Sequence, residues 1–123
     1  MANILIAEDN ALVRAALADM LEHAGHSVAQ AGDGREALES LKAAPADLVV
    51  MDIFMPVMDG IELIGHIRKA WPTQKVLALS GGGARLGADT TIAMVSDLGA
   101  DVVMQKPVDN DTLLEKIDAL LAG

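Results

Sequence analysis

Five short, mostly apolar runs recur along the chain, and each of the four longer gaps between them carries a segment of helical period. Ile4-Leu5-Ile6-Ala7, the stretch around Ser27 to Ala31, Leu48-Val49-Val50-Met51, Val76-Leu77-Ala78-Leu79 and Val102-Val103-Met104 have the length and composition of strands. Between the first two, Val13, Leu17, Met20, Leu21 and Ala24 recur at spacings of three and four, and Gly25 follows as a C-cap. After the turn Asp33-Gly34, a helix directs Ala37, Leu38 and Leu41 inward and stops near Pro45. Ile61, Ile64 and Ile67 mark a third helix that ends before Pro72, and a fourth reaches Leu98. The last helix turns Leu113, Leu114, Ile117, Leu120 and Leu121 inward. Strands that are continuous apolar runs need helices on both sheet faces. The pattern predicts an α/β fold, a doubly wound parallel sheet of five strands.

Composition narrows what such a sheet can serve. A length of 123 residues predicts one domain, spanning 1–123. Aromatics are 2% of the chain, so Ala, Val, Ile, Leu and Met must fill the core. With 18 acidic against 9 basic residues, the surface lacks the clustered cations that duplex binding needs, and no direct nucleic-acid partner is expected. There is no Cys, which removes disulfide frameworks and thiolate metal sites and fits a reducing compartment. No apolar stretch approaches membrane-spanning length, so a cytoplasmic protein without membrane contact is expected.

The informative residues stand where the strands end. The first run stops at Glu8 and Asp9, the third at Asp52, the fourth at Ser80, and the fifth leads to Lys106. Open parallel sheets bind ligands outside the carboxyl ends of their strands, near the point where strand order reverses. If the order is 2-1-3-4-5, Glu8, Asp9 and Asp52 converge from adjacent strand ends, and Ser80 and Lys106 close the rim. Three neighbouring carboxylates repel one another, and a divalent cation relieves that repulsion; an oxygen-only set suits Mg²⁺. Lys106 offers a compact positive charge and Ser80 a hydroxyl donor to phosphate oxygens. Phosphoryl transfer asks mainly for positioning and charge neutralisation, and Asp52 is the best-placed nucleophile.

Ile-Ala-Glu-Asp-Asn at 6–10, Met-Asp-Ile-Phe-Met-Pro-Val-Met-Asp-Gly at 51–60, Leu-Ser-Gly at 79–81 and Gln-Lys-Pro at 105–107 resemble the receiver domains of two-component response regulators. The resemblance covers essentially the whole chain and implies a flavodoxin/CheY-like fold. It implies that Asp52 is the phosphoacceptor and Asp9 a direct Mg²⁺ ligand. Glu8 would assist through water, and Phe54 would lend the metal its backbone carbonyl. Ser80 and Lys106 would contact the phosphoryl group, and the Lys106–Pro107 peptide bond would be cis. Asp59-Gly60 would turn the chain from the site into the third helix. The implied partners are a sensor histidine kinase or histidine phosphotransfer protein and an unidentified downstream protein. By this reading the chain catalyses only its own phosphorylation and dephosphorylation. The start at Met1 and the end after the fifth helix favour a stand-alone regulator over a receiver cut from a hybrid protein.

Two features depart from the family pattern. Where its members carry Tyr or Phe three residues before the Lys, this chain has Val103, so an aromatic switch on the fifth strand is missing. The segment from Ser80 to Lys106 is also longer, with Gly81-Gly82-Gly83-Ala84-Arg85-Leu86-Gly87-Ala88 expected to be a loop that a phosphoryl group or partner orders.

Each motif also has a plainer reading. An isolated acidic pair is more often a helix N-cap, and a lone Asp after a strand often caps the following loop. The glycine run lacks the spacing of a phosphate-cradling loop. His23, His26 and His66 have no metal spacing and read as surface residues; Trp71 is expected over the end of the third helix, and Met51, Met55, Met94 and Met104 as core filler. A phosphohydrolase with an aspartyl nucleophile would need a second Asp where Phe54 stands, and a flavin binder would need more aromatics.

Overall fold

The strands form where the apolar runs predict them. The computed structural model describes residues 2–81 and 96–123. Its elements are β1 (Asn3–Ala7), α1 (Ala11–His23), β2 (Ser27–Ala31), α2 (Gly34–Ala43), β3 (Leu48–Asp52), α3 (Gly60–Ala70), β4 (Val76–Ser80), β5 (Val102–Gln105) and a C-terminal helix (Asn110–Ala122). The Gly-rich segment, apart from Gly81, and most of the predicted fourth helix lie outside the described residues; positions 96–98 are helical.

All four pairings are parallel, and the strand order is β2-β1-β3-β4-β5. This is the doubly wound sheet expected from the sequence. Side chains alternate across it with period two and split the core into two layers. Leu5, Val49, Met51, Val76 and Ala78 pack with Ala37 and Leu41 of α2 and with Leu63, Ile64 and Ile67 of α3. Ile4, Ile6, Val50, Leu77 and Leu79 pack on the other face with Ala18 and Leu21 of α1 and with Leu113 and Ile117 of the C-terminal helix. The central strands β3 and β4 are buried throughout, whereas the edge strands β2 and β5 are only partly covered. That difference explains why Ser27–Ala31 is the least apolar of the five runs.

Local chemistry sets the helix ends. Asn10, Asp33, Asp59 and Asp109 cap the helices that follow them, each accepting a backbone N–H of the first turn. Ala24 is the C-cap of α1, and Gly25 is the residue beyond it, at φ 98°. The Gly25 N–H donates to Glu22 O and the His26 N–H to Leu21 O, a paired closure that needs a left-handed residue between.

The inward face of α1 differs from the periodic expectation. Leu21 is buried and Leu17 and Met20 half-buried, but Val13 is 38% exposed, Ala24 is exposed, and Ala18 takes the buried place. Val13 instead lines, with Leu79, Pro107 and Val108, an open groove, which leaves it partly uncovered. His23 and His66 are exposed and sit near Asp19 and Glu62. His26 is half-buried and not a plain surface residue, since its Nδ1 accepts the Ala2 N–H at 3.2 Å. Trp71 is the C-cap of α3 and packs against the α2/α3 layer. Met51, Met55 and Met104 fill or flank the core, and Met94 lies outside the described residues.

Candidate functional site

Strand register brings the polar residues to one rim. Ala7 pairs with Met51, so Glu8 and Asp52 stand level, one step further along β1 and β3. Asp52 continues the row of Leu48 and Val50, the row that faces α1 and the C-terminal helix. Ser80 pairs with Gln105, so Lys106 leaves β5 one step beyond the end of β4. The Lys106–Pro107 peptide bond is cis.

Glu8, Asp9 and Asp52 each offer a carboxylate oxygen within 4.8 Å of the others. Glu8 and Asp52 are buried, and Asp9 is exposed. The Lys106 ammonium bridges the two buried acids, donating to Glu8 Oε1 and to Asp52 Oδ2, both at 2.9 Å. Burial works against the charged ammonium, but the hydrogen bonds and charges of Glu8 and Asp52 outweigh it and raise the Lys106 pKa above the usual 10.5. The remaining oxygens are held by backbone: the Asn10 N–H donates to Glu8 Oε2 at 3.1 Å and the Phe54 N–H to Asp52 Oδ1 at 3.2 Å. Asp52 thus does cap its own loop, as a lone Asp would, while also facing the lysine. The capping role open to the Glu8-Asp9 pair belongs instead to Asn10, which accepts from Leu12 and Val13 N–H at 3.0 Å.

Ser80 is fully buried, and among the described residues its hydroxyl has no hydrogen-bond partner. Such an orphan costs about 1–3 kcal/mol and calls for an explanation. An acceptor that binds at the rim supplies one. An oxygen-only cluster of three carboxylates also suits a hard divalent cation, so the donor set fits Mg²⁺.

The loop after Asp52 is tightly built. The Met58 N–H donates to Pro56 O at 2.7 Å, a γ-turn whose central residue, Val57, has φ 68° and is 75% exposed. A β-branched residue is strained there. Asp59 caps α3, and a Cβ at Gly60 would lie 2.6 Å from Ile53 Cα and 2.8 Å from Asp52 O, so only glycine lets the helix start this close to the site.

Val103 is half-buried and packs against the α2/α3 layer, opposite Ala78. Gly81 is exposed, and among the described residues nothing lies within 4 Å of where its side chain would start. Beside it, Val13, Leu17, Met20, Leu79, Pro107 and Val108 help line an apolar groove of about 500 Å³ that opens next to Lys106. Two contributors escaped the sequence reading. Asn10 had a visible signal, an Asx residue just before a helical period, whereas Arg14 had none: its Nη1 donates to Glu8 O at 2.7 Å.

Known proteins resemble this chain in sequence and fold. The family described as response regulator receiver domain matches residues 4–118. The chain is 36% identical over 116 residues to the CAI-1 autoinducer sensor kinase/phosphatase CqsS of Vibrio cholerae, covering 94% of this chain and 17% of that protein. It is 34% identical to the chemotaxis protein CheY of Thermotoga maritima, covering 94% of this chain and 93% of that one. Other response regulators are matched over about half their length. The solved structure of Vibrio cholerae CheY4 superposes with a TM-score of 0.86 at 29% identity, covering 98% of both chains. With its strand order, its rim of acids and lysine and these likenesses, the chain belongs to the response regulator receiver domains, the CheY-like phosphoacceptor modules of two-component signalling.

Proposed function

We propose that Asp52 accepts a phosphoryl group from the phosphohistidine of a sensor histidine kinase or histidine phosphotransfer protein, and that the modified domain signals by binding another protein. The observation that carries this reading is the convergence on Asp52: a buried carboxylate 2.9 Å from the Lys106 ammonium, within an acidic trio. In the transfer, an Asp52 oxygen forms a bond to phosphorus while the bond from phosphorus to the donor imidazole nitrogen breaks. The imidazole leaves with that electron pair. Lys106 stays at hydrogen-bond distance to offset the added negative charge, and the Ser80 hydroxyl donates to a phosphoryl oxygen, which ends its isolation.

Mg²⁺, held by Asp9, Asp52 and the Phe54 carbonyl with Glu8 assisting through water, would neutralise phosphoryl charge. The apolar groove beside Lys106 gives a protein donor a surface to dock on. Loss of the phosphoryl group is hydrolysis of the same acyl phosphate, so the domain turns over only itself. Downstream output cannot use an inward-swinging ring at position 103, where Val103 packs against the α2/α3 layer. No helix among the described residues is long and apolar enough to cross a membrane.

Incubation with a small phosphodonor and Mg²⁺, read by intact mass, tests the assignment. Wild-type protein gains a phosphoryl mass, and Asp52→Asn and Asp52→Ala do not. Modification that persists in both variants moves the acceptor elsewhere.

A further inference from the structure

Glu8 lies just past the last residue of β1, where the sheet no longer supplies all its backbone partners. Its N–H still donates across to Ala31 O at 3.0 Å. Its carbonyl is taken by Arg14, whose Nη1 donates from the second turn of α1 at 2.7 Å. Its two carboxylate oxygens accept from Lys106 and from the Asn10 N–H. Every polar atom of Glu8 is therefore engaged, and the partners come from separate parts of the chain.

The Glu8 carbonyl belongs to the same rigid plane as the Asp9 N–H. Holding that carbonyl sets the 8–9 peptide, and with it the direction in which the neighbouring acid leaves the backbone. Arg14 is half-buried, and its side chain lies beside the exit of β2. A side chain built at Gly32 would start 3.5 Å from Arg14 Nη1 and 3.6 Å from Glu36 Oε1, so both side chains border Gly32 at the exit of β2. Glu36 in turn accepts the Gly32 N–H at 3.0 Å.

We infer that Arg14 is a positioning residue for the metal and phosphoryl site: it pins the peptide between Glu8 and Asp9 and so presents both carboxylates to Asp52. This rests on the metal reading of the rim given above. Its sign is opposite to that of charge alone. A cation beside an acidic pocket repels Mg²⁺, so its removal by charge alone would tighten binding. Loss of positioning loosens it, and supports behind metal ligands are commonly worth 10–100-fold in affinity.

The test compares wild type, Arg14→Met and Arg14→Lys by Mg²⁺ calorimetry and by amide hydrogen exchange of Glu8 and Asn10 without metal. Arg14→Met is expected to bind Mg²⁺ about tenfold more weakly, with faster exchange at both amides, and Arg14→Lys to fall between it and wild type. A folded Arg14→Met protein with unchanged or tighter Mg²⁺ binding overturns the inference. If Arg14→Met does not fold, Arg14→Lys decides: it keeps the charge, so weaker binding reports lost geometry, and wild-type affinity overturns the inference. Wild-type protein that binds no Mg²⁺ sinks the metal reading instead; unchanged amide exchange in the variants would then overturn the role of Arg14, and faster exchange would uphold it.

Discussion

The two ends of the sheet use polar residues differently. At the amino end, Ala2, His26, Asp47, Trp71, Lys75 and Asp118 help line an open cavity of about 680 Å³. Three of its titratable groups are engaged with the backbone: Asp47 Oδ2 accepts the Asn3 N–H at 2.7 Å, His26 accepts the Ala2 N–H, and Lys75 donates to Leu120 O. At the carboxyl end, charged groups face one another instead. Glu8 and Asp52 share one lysine, and Ser80 has a buried hydroxyl with no partner among the described residues. Polar atoms that complete the backbone finish a fold, whereas an acidic surplus and an orphaned donor leave chemistry to be done. Cavity size is a poor guide here, since the larger opening lies at the end without the reactive groups.

Lys106→Met would break the contrast most severely. It strands two buried carboxylates, and metal-free protein should lose about 3 kcal/mol in urea unfolding. Mg²⁺ should return part of that loss. The pH dependence follows from the raised pKa. The folded state holds the lysine proton more tightly, so the stabilisation is complete below the unfolded value near 10.5 and vanishes as pH rises through the higher folded value. The stability gap between wild type and Lys106→Met should accordingly be level from neutral pH to about 10 and close only above it. A gap that closes between pH 6 and 9 would exclude Lys106 as its source.

Ser80→Ala separates stability from function. Deleting an unpaired buried hydroxyl should leave stability unchanged or raise it by up to about 1 kcal/mol. Phosphoryl uptake from a small donor should slow about tenfold, the worth of one hydrogen bond to a charged group. A loss of stability with normal uptake would mean that Ser80 only fills space. Asp47→Ala, at the opposite end, should cost no more than about 1 kcal/mol, because water replaces the exposed bond to Asn3. Its uptake should match wild type, and a slower rate would mean the two ends are coupled. The smallest effect is expected at Val57. Val57→Asn suits the left-handed backbone and gives up no buried contact, so thermal unfolding should show a gain of about 0.5–1 kcal/mol.

Much of the molecule was legible in the order of its residues. Strand runs, helix periods and Asx caps are local signals, and the polar residues that end successive strands are read directly from the chain. The resemblance of the 51–60 and 105–107 motifs added the strand order, which local patterns alone do not dictate. Where local reading failed, a neighbour was missing from the window. Val13 fits the inward period of α1 yet is exposed, because it borders an open groove. The cap before α1 fell to Asn10 and not to the acidic pair beside it.

The sequence by itself determined which chemistry stands at the strand ends, since side-chain type and two-residue alternation are properties of neighbouring positions. Only the tertiary structure decided how those groups are spent. Lys106 reaches Glu8 across 98 positions, Arg14 turns back to hold the Glu8 carbonyl, and the Ser80 hydroxyl is enclosed without a partner among the described residues. Hydrogen bonds depend on distance and burial, and these are fixed only when separate stretches of chain are packed together.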